Sequence, residues 1–170
     1  MESGETAVVE KGCDKDPVGT SLTGQHIWFY DGQCAICDRG VQFLLARDTA
    51  HRFRIAELQS AFARRELTER GVDPAELEAG VRDPRNFRTF YLIANYGTPR
   101  EKLFNRSRGA AFAISQLGGS WGLYGRFLLL FPAWLLDPPY RFVNRIRYSW
   151  FGKKNACAVP TPAQRARLIV

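Results

Sequence analysis

Two cysteines separated by two residues are the part of this sequence best suited to chemistry. They are Cys34 and Cys37, within a segment that follows the pattern Asp-x-x-Cys-x-x-Cys from Asp31 onward. Two thiols at this spacing can form a disulfide with each other, exchange it with another disulfide, or contribute to a metal site. The surrounding elements decide between these uses.

The context of the cysteine pair favours redox chemistry. The pair follows residues 26–30, which are apolar, aromatic and typical of a buried strand, and it begins a segment with helical spacing of apolar residues that extends to about Arg47. A C-x-x-C at a strand-to-helix junction within a β-α-β unit is typical of thiol–disulfide exchange. Cys34 would then lie at a helix N-terminus, where free N–H groups and the helix dipole stabilise a thiolate.

The two thiols are expected to have different roles. Cys34 is predicted to attack a substrate disulfide, and Cys37, on the inner side of the helix, is predicted to be more buried and less acidic and to resolve the mixed disulfide. The reverse cycle would oxidise a dithiol. Asp31 is interpreted as a turn residue that accepts hydrogen bonds from backbone N–H groups, with a proton acceptor for Cys37 as the alternative. Gly32 is expected to supply flexibility to the turn.

The other two cysteines, Cys13 and Cys157, show no second paired spacing. Zinc binding by Cys34 and Cys37 would need two further ligands from Cys13, Cys157, His26 and His51, so we expect no metal and no other cofactor. Cys157 is either a third redox thiol close to the pair or a surface cysteine. The acidic N-terminal region shows no secretory signal, which together with the sparse cysteines predicts a cytoplasmic protein with reduced thiols.

The remaining elements predict an α/β fold: a mixed sheet with flanking helices and a C-terminal helical extension. The order over residues 26–118 is β-α-β-α-(short α)-β-β-α, and its β-α-β start requires a right-handed crossover and a parallel strand pair. Ser107 is expected to cap the helix over 107–117, and Pro138-Pro139 to precede a last helix over 140–150. We predict four regions: a disordered tail over 1–25, a redox domain over 26–118, the extension over 119–152 and a tail over 153–170.

The formal net charge of +7 is unevenly distributed. Residues 1–120 contain 16 basic and 16 acidic residues, whereas residues 121–170 contain 8 basic residues and one acid, Asp137. We therefore predict a neutral catalytic unit that is complete by residue 118, with an extension that supplies none of the chemistry. Basic and aromatic residues over 121–154 suit peripheral contact with a membrane, while the favoured alternative packs their apolar faces on the core. Nucleic acid is the least favoured partner.

The motif resembles that of a known family. Asp31, Cys34 and Cys37 match the DCC family of thiol–disulfide oxidoreductases, which is named for the pattern Asp-x-x-Cys-x-x-Cys. Further matches lie at residues 58–60, 107–111, 117–119 and 147–152, with Cys157 beyond. The resemblance implies a thioredoxin-like fold and disulfide exchange with a protein or a low-molecular-weight thiol. Unlike thioredoxin, the chain has no proline in residues 86–89, directly before the third strand.

Overall fold

A mixed five-stranded sheet forms the centre of the computed structural model, which describes residues 21–151 and 162–169. Its strands are β1 (His26–Tyr30), β2 (Phe53–Glu57), β3 (Tyr91–Ala94), β4 (Lys102–Asn105) and β5 (Leu168–Ile169). Their spatial order is β4-β3-β1-β2-β5. The pairs β1–β2 and β2–β5 are parallel, whereas β1–β3 and β3–β4 are antiparallel.

Seven helices flank the sheet in the described residues. They are α1 (Ala35–Arg47), α2 (Ala61–Glu69), α3 (Pro74–Arg82), α4 (Arg106–Ser115), α5 (Gly119–Leu130), α6 (Ala133–Phe151) and α7 (Pro162–Arg165). A short 3-10 helix, Pro84–Asn86, precedes β3. The element order confirms the expected α/β, thioredoxin-like fold with a C-terminal helical extension.

Local sequence explains the elements that position the cysteines. The side chains of β1 alternate between the two sheet faces, so Ile27 and Phe29 belong to one core cluster while Trp28 and Tyr30 pack on the other side. The side chain of Ser60 accepts a hydrogen bond from the Ala63 N–H at 3.1 Å and caps α2. The C-terminal end of β1 leads directly into the turn that carries the cysteines.

The end of the chain differs from the predicted tail over 153–170. Residues 162–169 form α7 and β5, and β5 adds a strand beside β2. The Gln164 side chain donates to Asp38 Oδ1 at 2.8 Å, and Arg167 forms a buried ion pair with Asp48 at 2.6 Å. The prediction of a tail was wrong here because two residues of strand are too short to show a periodic pattern, and their partners are far away in sequence.

Three other expectations need correction. Ser107 does not cap α4, because its hydroxyl donates to the Asp137 carboxylate of α6. The last helix begins at Ala133 and continues through Pro138-Pro139. Proline keeps a helical φ, but each of the two leaves a carbonyl of the first turn without its helical N–H partner. Leu22, within the predicted N-terminal tail, is fully buried in the core. Residues 1–20, 152–161 and 170, including Cys13 and Cys157, lie outside the described residues.

Helix α5 packs on α4 through two glycines. A Cβ added at Gly122 would lie 2.2 Å from the Leu117 carbonyl oxygen, and one at Gly125 would lie 2.2 Å from the Ser115 nitrogen. Both of these neighbours are backbone atoms, which cannot move aside as a flexible side chain can. The close approach of the two helices therefore depends on the absence of a side chain at these positions.

Gly125→Ala is expected to lower the free energy of unfolding by about 1–3 kcal/mol, because the added methyl group would force α5 away from α4. Gly40→Ala is the matched control, since a Cβ there meets no atom within 4 Å. That change is expected to raise the free energy by up to about 1 kcal/mol through helix propensity. Urea unfolding of both variants measures the difference, and equal effects would contradict the α4–α5 contact.

Candidate active site

Cys34 and Cys37 lie at the start of α1, where Cys34 is the N-cap residue. The backbone N–H of Cys37 donates to Cys34 Sγ at 3.3 Å, and neither thiol forms a disulfide. The sulfur thus occupies the acceptor position that a serine or aspartate oxygen often takes at a helix N-terminus. An anionic sulfur is favoured at this place because the first N–H groups of the helix have no backbone partner.

The two thiols differ in acidity in the expected order. The Cys37 thiol donates a hydrogen bond to the Cys34 sulfur, which lowers the pKa of Cys34, and the Cys37 N–H and the charge of Arg147 act in the same direction. Burial and the Asp31 carboxylate oppose this effect without reversing it. The same hydrogen bond raises the pKa of Cys37, and burial adds to the rise. The pair thus favours a thiolate on Cys34 and a proton on Cys37.

The two cysteines differ in their exposure to solvent. Cys34 is 0% exposed, whereas Cys37 is partly exposed and lines a cavity of about 200 Å³. Ile36 and Gly40 of α1 line this cavity on one side, and Tyr140 and other residues of α6 line it on another. Cys37 is the more exposed of the two to solvent because residues of α1 and α6 leave a cavity in front of it. Reaction at Cys34 therefore requires a local opening around its sulfur.

Asp31 is the centre of a buried hydrogen-bond network beside the cysteines. Its Oδ1 accepts from the Gln33 N–H at 3.1 Å and from the Gln59 side chain at 2.9 Å. Its Oδ2 accepts from the Tyr148 hydroxyl and forms an ion pair with Arg147 at 3.3 Å. The bond from Gln33 is the predicted turn contact, but the other partners come from beyond β2 and from α6. Asp31 therefore connects three separate parts of the chain.

Arg147 brings a buried positive charge to the thiols. Its Nη1 lies 3.7 Å from Cys37 Sγ, and its Nη2 donates to the carbonyls of Pro84 at 3.1 Å and Phe87 at 2.8 Å. The prediction of a catalytic unit complete by residue 118 was wrong in this respect, because α6 supplies the cation. The sequence signal for Arg147 and Tyr148 was the family match at residues 147–152, which assigned them no role.

Gly32 lies in the turn before the cysteines, where an added side chain would have to displace only the flexible end of the Glu57 side chain. It is absent from the described glycines with positive φ, so its backbone conformation is open to other residues. A Cβ at this position would lie 2.6 Å from the Glu57 carboxyl carbon and within 2.8 Å of both its oxygens. The Gly32 N–H also donates to Gln59 Oε1 at 3.3 Å, which fixes the turn against the loop after β2.

The comparison with protein families agrees with this site. Residues 28–153 match the family described as DCC1-like thiol-disulfide oxidoreductase. The chain belongs to this family. The matched residues include both cysteines of the pair, Asp31 and the two α6 residues that contact it, Arg147 and Tyr148. The resemblance noted from the sequence is thereby confirmed.

Two relatives of this DCC1-like chain have been found among curated proteins. "Uncharacterized protein YuxK" of Bacillus subtilis (strain 168) is 29% identical over 143 residues, which is 84% of this chain and 93% of the relative. "DCC family protein At1g52590, chloroplastic" of Arabidopsis thaliana is 24% identical over 131 residues, which is 77% of this chain and 67% of the relative. No solved structure gives a significant match.

The zinc alternative gains no support from the described residues. Across residues 21–151 and 162–169, no three His, Cys, Asp or Glu side chains lie close enough together to hold a metal ion. His26 Nδ1 accepts from the Asn95 N–H at 3.1 Å, and His51 Nδ1 lies 2.6 Å from the Arg167 guanidinium. The other two candidate ligands, Cys13 and Cys157, lie outside the described residues.

Arg147→Gln is expected to move the pH midpoint of Cys34 alkylation upward by about one unit, because a nearby positive charge lowers a thiol pKa by about that amount or more. The sign follows from the thiolate being the reactive form: a higher pKa requires a higher pH for the same labelling rate. Iodoacetamide labelling against pH, followed by peptide mass spectrometry, measures the midpoint. Arg147→Lys keeps the charge and is expected to keep most of the shift. Equal midpoints for wild type and Arg147→Gln would contradict this role.

Proposed function

We propose that this protein catalyses thiol–disulfide exchange through Cys34 and Cys37, with a protein or a low-molecular-weight thiol as partner. The observation that carries the proposal is the 3.3 Å hydrogen bond from the Cys37 N–H to Cys34 Sγ at the start of α1. Arg147, with its guanidinium 3.7 Å from Cys37 Sγ, adds a positive charge beside the pair. Both features favour a thiolate, which is the nucleophile in disulfide exchange.

In the reducing direction, the Cys34 thiolate attacks one sulfur of the substrate disulfide after a local opening around Cys34. The substrate S–S bond breaks, and a mixed disulfide forms between Cys34 and one half of the substrate. The other half leaves as a thiolate and takes up a proton. The thiolate of Cys34 is consumed in this step, so its negative charge no longer acts on Cys37.

Cys37 then completes the cycle. Because the negative charge on Cys34 raises the pKa of Cys37, its loss makes Cys37 easier to deprotonate, and Arg147 favours the new thiolate. Cys37 attacks Cys34 Sγ, the mixed disulfide breaks, and the second half of the substrate leaves as a thiol after protonation. Two electrons pass to the substrate and a Cys34–Cys37 disulfide remains; the same steps in reverse oxidise a dithiol.

A single-turnover reaction tests this proposal without any other protein. Reduced protein is mixed with bis(2-hydroxyethyl) disulfide, and the products are followed by thiol quantification and peptide mass spectrometry. The expected products are a Cys34–Cys37 disulfide and two equivalents of 2-mercaptoethanol from this pair, beyond any released by Cys13 and Cys157. If the folded protein released no more 2-mercaptoethanol than the unfolded chain does under the same conditions, the proposal would be overturned.

A further inference from the structure

A strongly basic groove of about 570 Å³ borders the thiol site. Five arginines line it: Arg85, Arg88, Arg106, Arg141 and Arg145. Asn144 lines both this groove and the cavity in front of Cys37, and Tyr148, a partner of Asp31, also lines the groove. The basic groove and the thiols are therefore neighbours that share residues of α6.

The positive charge of the groove is mostly uncompensated. Arg85 pairs with Asp83 at 2.7 Å, and Arg106 lies 3.8 Å from Asp137. The other three, Arg88, Arg141 and Arg145, form no ion pair with the residues that the structure describes, and no carboxylate is among the groove's lining residues. A groove lined in this way attracts anions and raises their local concentration.

Helix α6 arranges this charge along a single face. Arg141, Asn144, Arg145 and Tyr148 follow one another at spacings of three, one and three residues, which places them on the same side of the helix. From Arg141 to Tyr148 the helix advances by about 10 Å. The arginines therefore lie along the stretch of α6 that also borders the cavity in front of Cys37, and the groove has a length that suits a small extended molecule.

The backbone beside this groove is already hydrogen-bonded to α6. Asn144 donates to the Arg88 carbonyl at 2.8 Å, and Arg147 donates to the Phe87 carbonyl at 2.8 Å. The Phe90 N–H donates to the Tyr140 hydroxyl at 3.4 Å. These groups are not available to pair with an extended peptide, so recognition at this place falls to the arginine side chains.

We infer that the arginine groove binds the anionic end of a low-molecular-weight disulfide substrate. Carboxylate or phosphate groups of the substrate pair with Arg88, Arg141 and Arg145, while its S–S bond reaches the Cys34–Cys37 pair. Guanidinium groups suit such anions because they can donate two parallel hydrogen bonds, and a groove of this size suits a small molecule. The inference rests on the proposed function and adds the class of substrate.

Three small symmetric disulfides with the same two-methylene spacer but different charge test the inference. They are 3,3′-dithiodipropionate, bis(2-hydroxyethyl) disulfide and cystamine, and each second-order rate constant with the reduced protein is divided by that with free dithiothreitol. The normalised rate constant of the dianion 3,3′-dithiodipropionate is expected to exceed that of the dication cystamine by about tenfold or more at low ionic strength. The ratio of these two constants is expected to fall in 0.5 M salt. A ratio that favours cystamine, or is insensitive to salt, would overturn the inference.

The double variant Arg141→Gln/Arg145→Gln is expected to bring this ratio to within about twofold of unity. The control Arg64→Gln/Arg126→Gln makes the same change in net charge on α2 and α5 and is expected to keep the preference. Equal ratios in the two double variants would remove the groove from substrate recognition while leaving the exchange reaction in place. Failure of all three disulfides to react would instead overturn the proposed function.

A second, independent feature is an apolar face on α5 and the start of α6. Gly122 and Gly125 pack against α4, which leaves most large side chains of α5 on its exposed side, while Trp121 also packs edge-on against Phe43 at 4.9 Å. Seven of them are exposed and define the α5 face: Trp121, Leu123, Tyr124, Phe127, Leu130, Trp134 and Leu135. The favoured expectation that these aromatic and aliphatic groups pack on the core is wrong for these residues.

We propose that the α5 face lies on the surface of an anionic lipid bilayer. Tryptophan and tyrosine suit the headgroup region, and leucine and phenylalanine suit the outer acyl chains. Residues 119–136 contain no acid, Arg126 is exposed on α5, and Arg47 lies over the Trp121 ring at 5.4 Å. No helix within the described residues is long and apolar enough to span a membrane.

Flotation with vesicles tests this contact. The wild type is expected to float with phosphatidylglycerol–phosphatidylcholine vesicles and much less with phosphatidylcholine alone, and Leu123→Ser/Phe127→Ser to lose flotation. Phe142→Ser, an exposed apolar residue of α6 outside the α5 face, is the matched control and should still float. Absence of wild-type flotation would overturn the proposed lipid contact. A dimer in light scattering that Leu123→Ser/Phe127→Ser dissociates would overturn it in favour of a second copy of this chain on the α5 face.

Discussion

Cys34→Ser is expected to lower the rate of disulfide exchange by roughly 10³-fold or more, because a serine hydroxyl stays protonated and cannot replace a thiolate nucleophile. Cys37 remains in this variant, but it has no second thiol with which to form an intramolecular disulfide. Any adduct on Cys37 would therefore stay there, and no second equivalent of thiol would be released. The rate of 2-mercaptoethanol release from bis(2-hydroxyethyl) disulfide, measured in quenched samples after removal of the protein, gives the loss.

Matched controls separate this loss from a structural effect. Cys34→Ala and Cys34→Ser should be equally inactive, while circular dichroism and urea unfolding should show that both fold. Full activity in either variant would contradict the assignment of Cys34 as the attacking thiol. Activity that is lost only together with folding would leave the assignment without support.

Asp31→Ala is expected to cost about 3–5 kcal/mol of stability, because it leaves the buried Arg147 guanidinium without its counter-ion. The substitution also removes the acceptors used by Gln59, the Gln33 N–H and Tyr148. Burial, followed by the bond to Asp31, raises the pKa of Tyr148, so this hydroxyl is protonated and needs an acceptor at neutral pH. Urea unfolding measures the change.

Glu78→Ala is the control for the loss of an ion pair at the surface. Glu78 and Arg82 form an i,i+4 pair at 3.4 Å, with side chains 60% and 78% exposed. Because such pairs contribute little in water, this variant is expected to lose at most about 0.5 kcal/mol. If Asp31→Ala were no more destabilising than Glu78→Ala, the Asp31 network would not hold α6 against the thiol site.

The elements next to the cysteines could be predicted because their signals are local. The aromatic and β-branched residues of β1 and the helical spacing of α1 lie within the segments that they describe, and the confirmed fold follows largely from such signals. The position of Cys34 at the helix start likewise depends on its immediate neighbours. The pattern of two cysteines after a strand was therefore enough to place the candidate site.

The rest of the site depends on contacts between distant residues. Nothing near Asp31 in the sequence shows that Arg147 and Tyr148 pack against it, or that a cavity lined by α1 and α6 leaves Cys37 more exposed to solvent than Cys34. The basic residues of the C-terminal part contribute to the thiol site, which their position in the sequence did not indicate. The excess lies in the C-terminal part, but α6 turns part of it toward the thiols and part toward the arginine groove.

Trapping the mixed disulfide identifies which of the two thiols attacks the substrate. Cys37→Ser is reacted with bis(2-hydroxyethyl) disulfide, and the adduct is located by peptide mass spectrometry, with Cys34→Ser as the parallel reaction. The expected result is a stable mercaptoethanol adduct on Cys34 in the first variant that forms much faster than any adduct on Cys37 in the second. Faster adduct formation on Cys37 would contradict the account, since it would make the cavity-lining thiol the nucleophile and Cys34 the resolving residue.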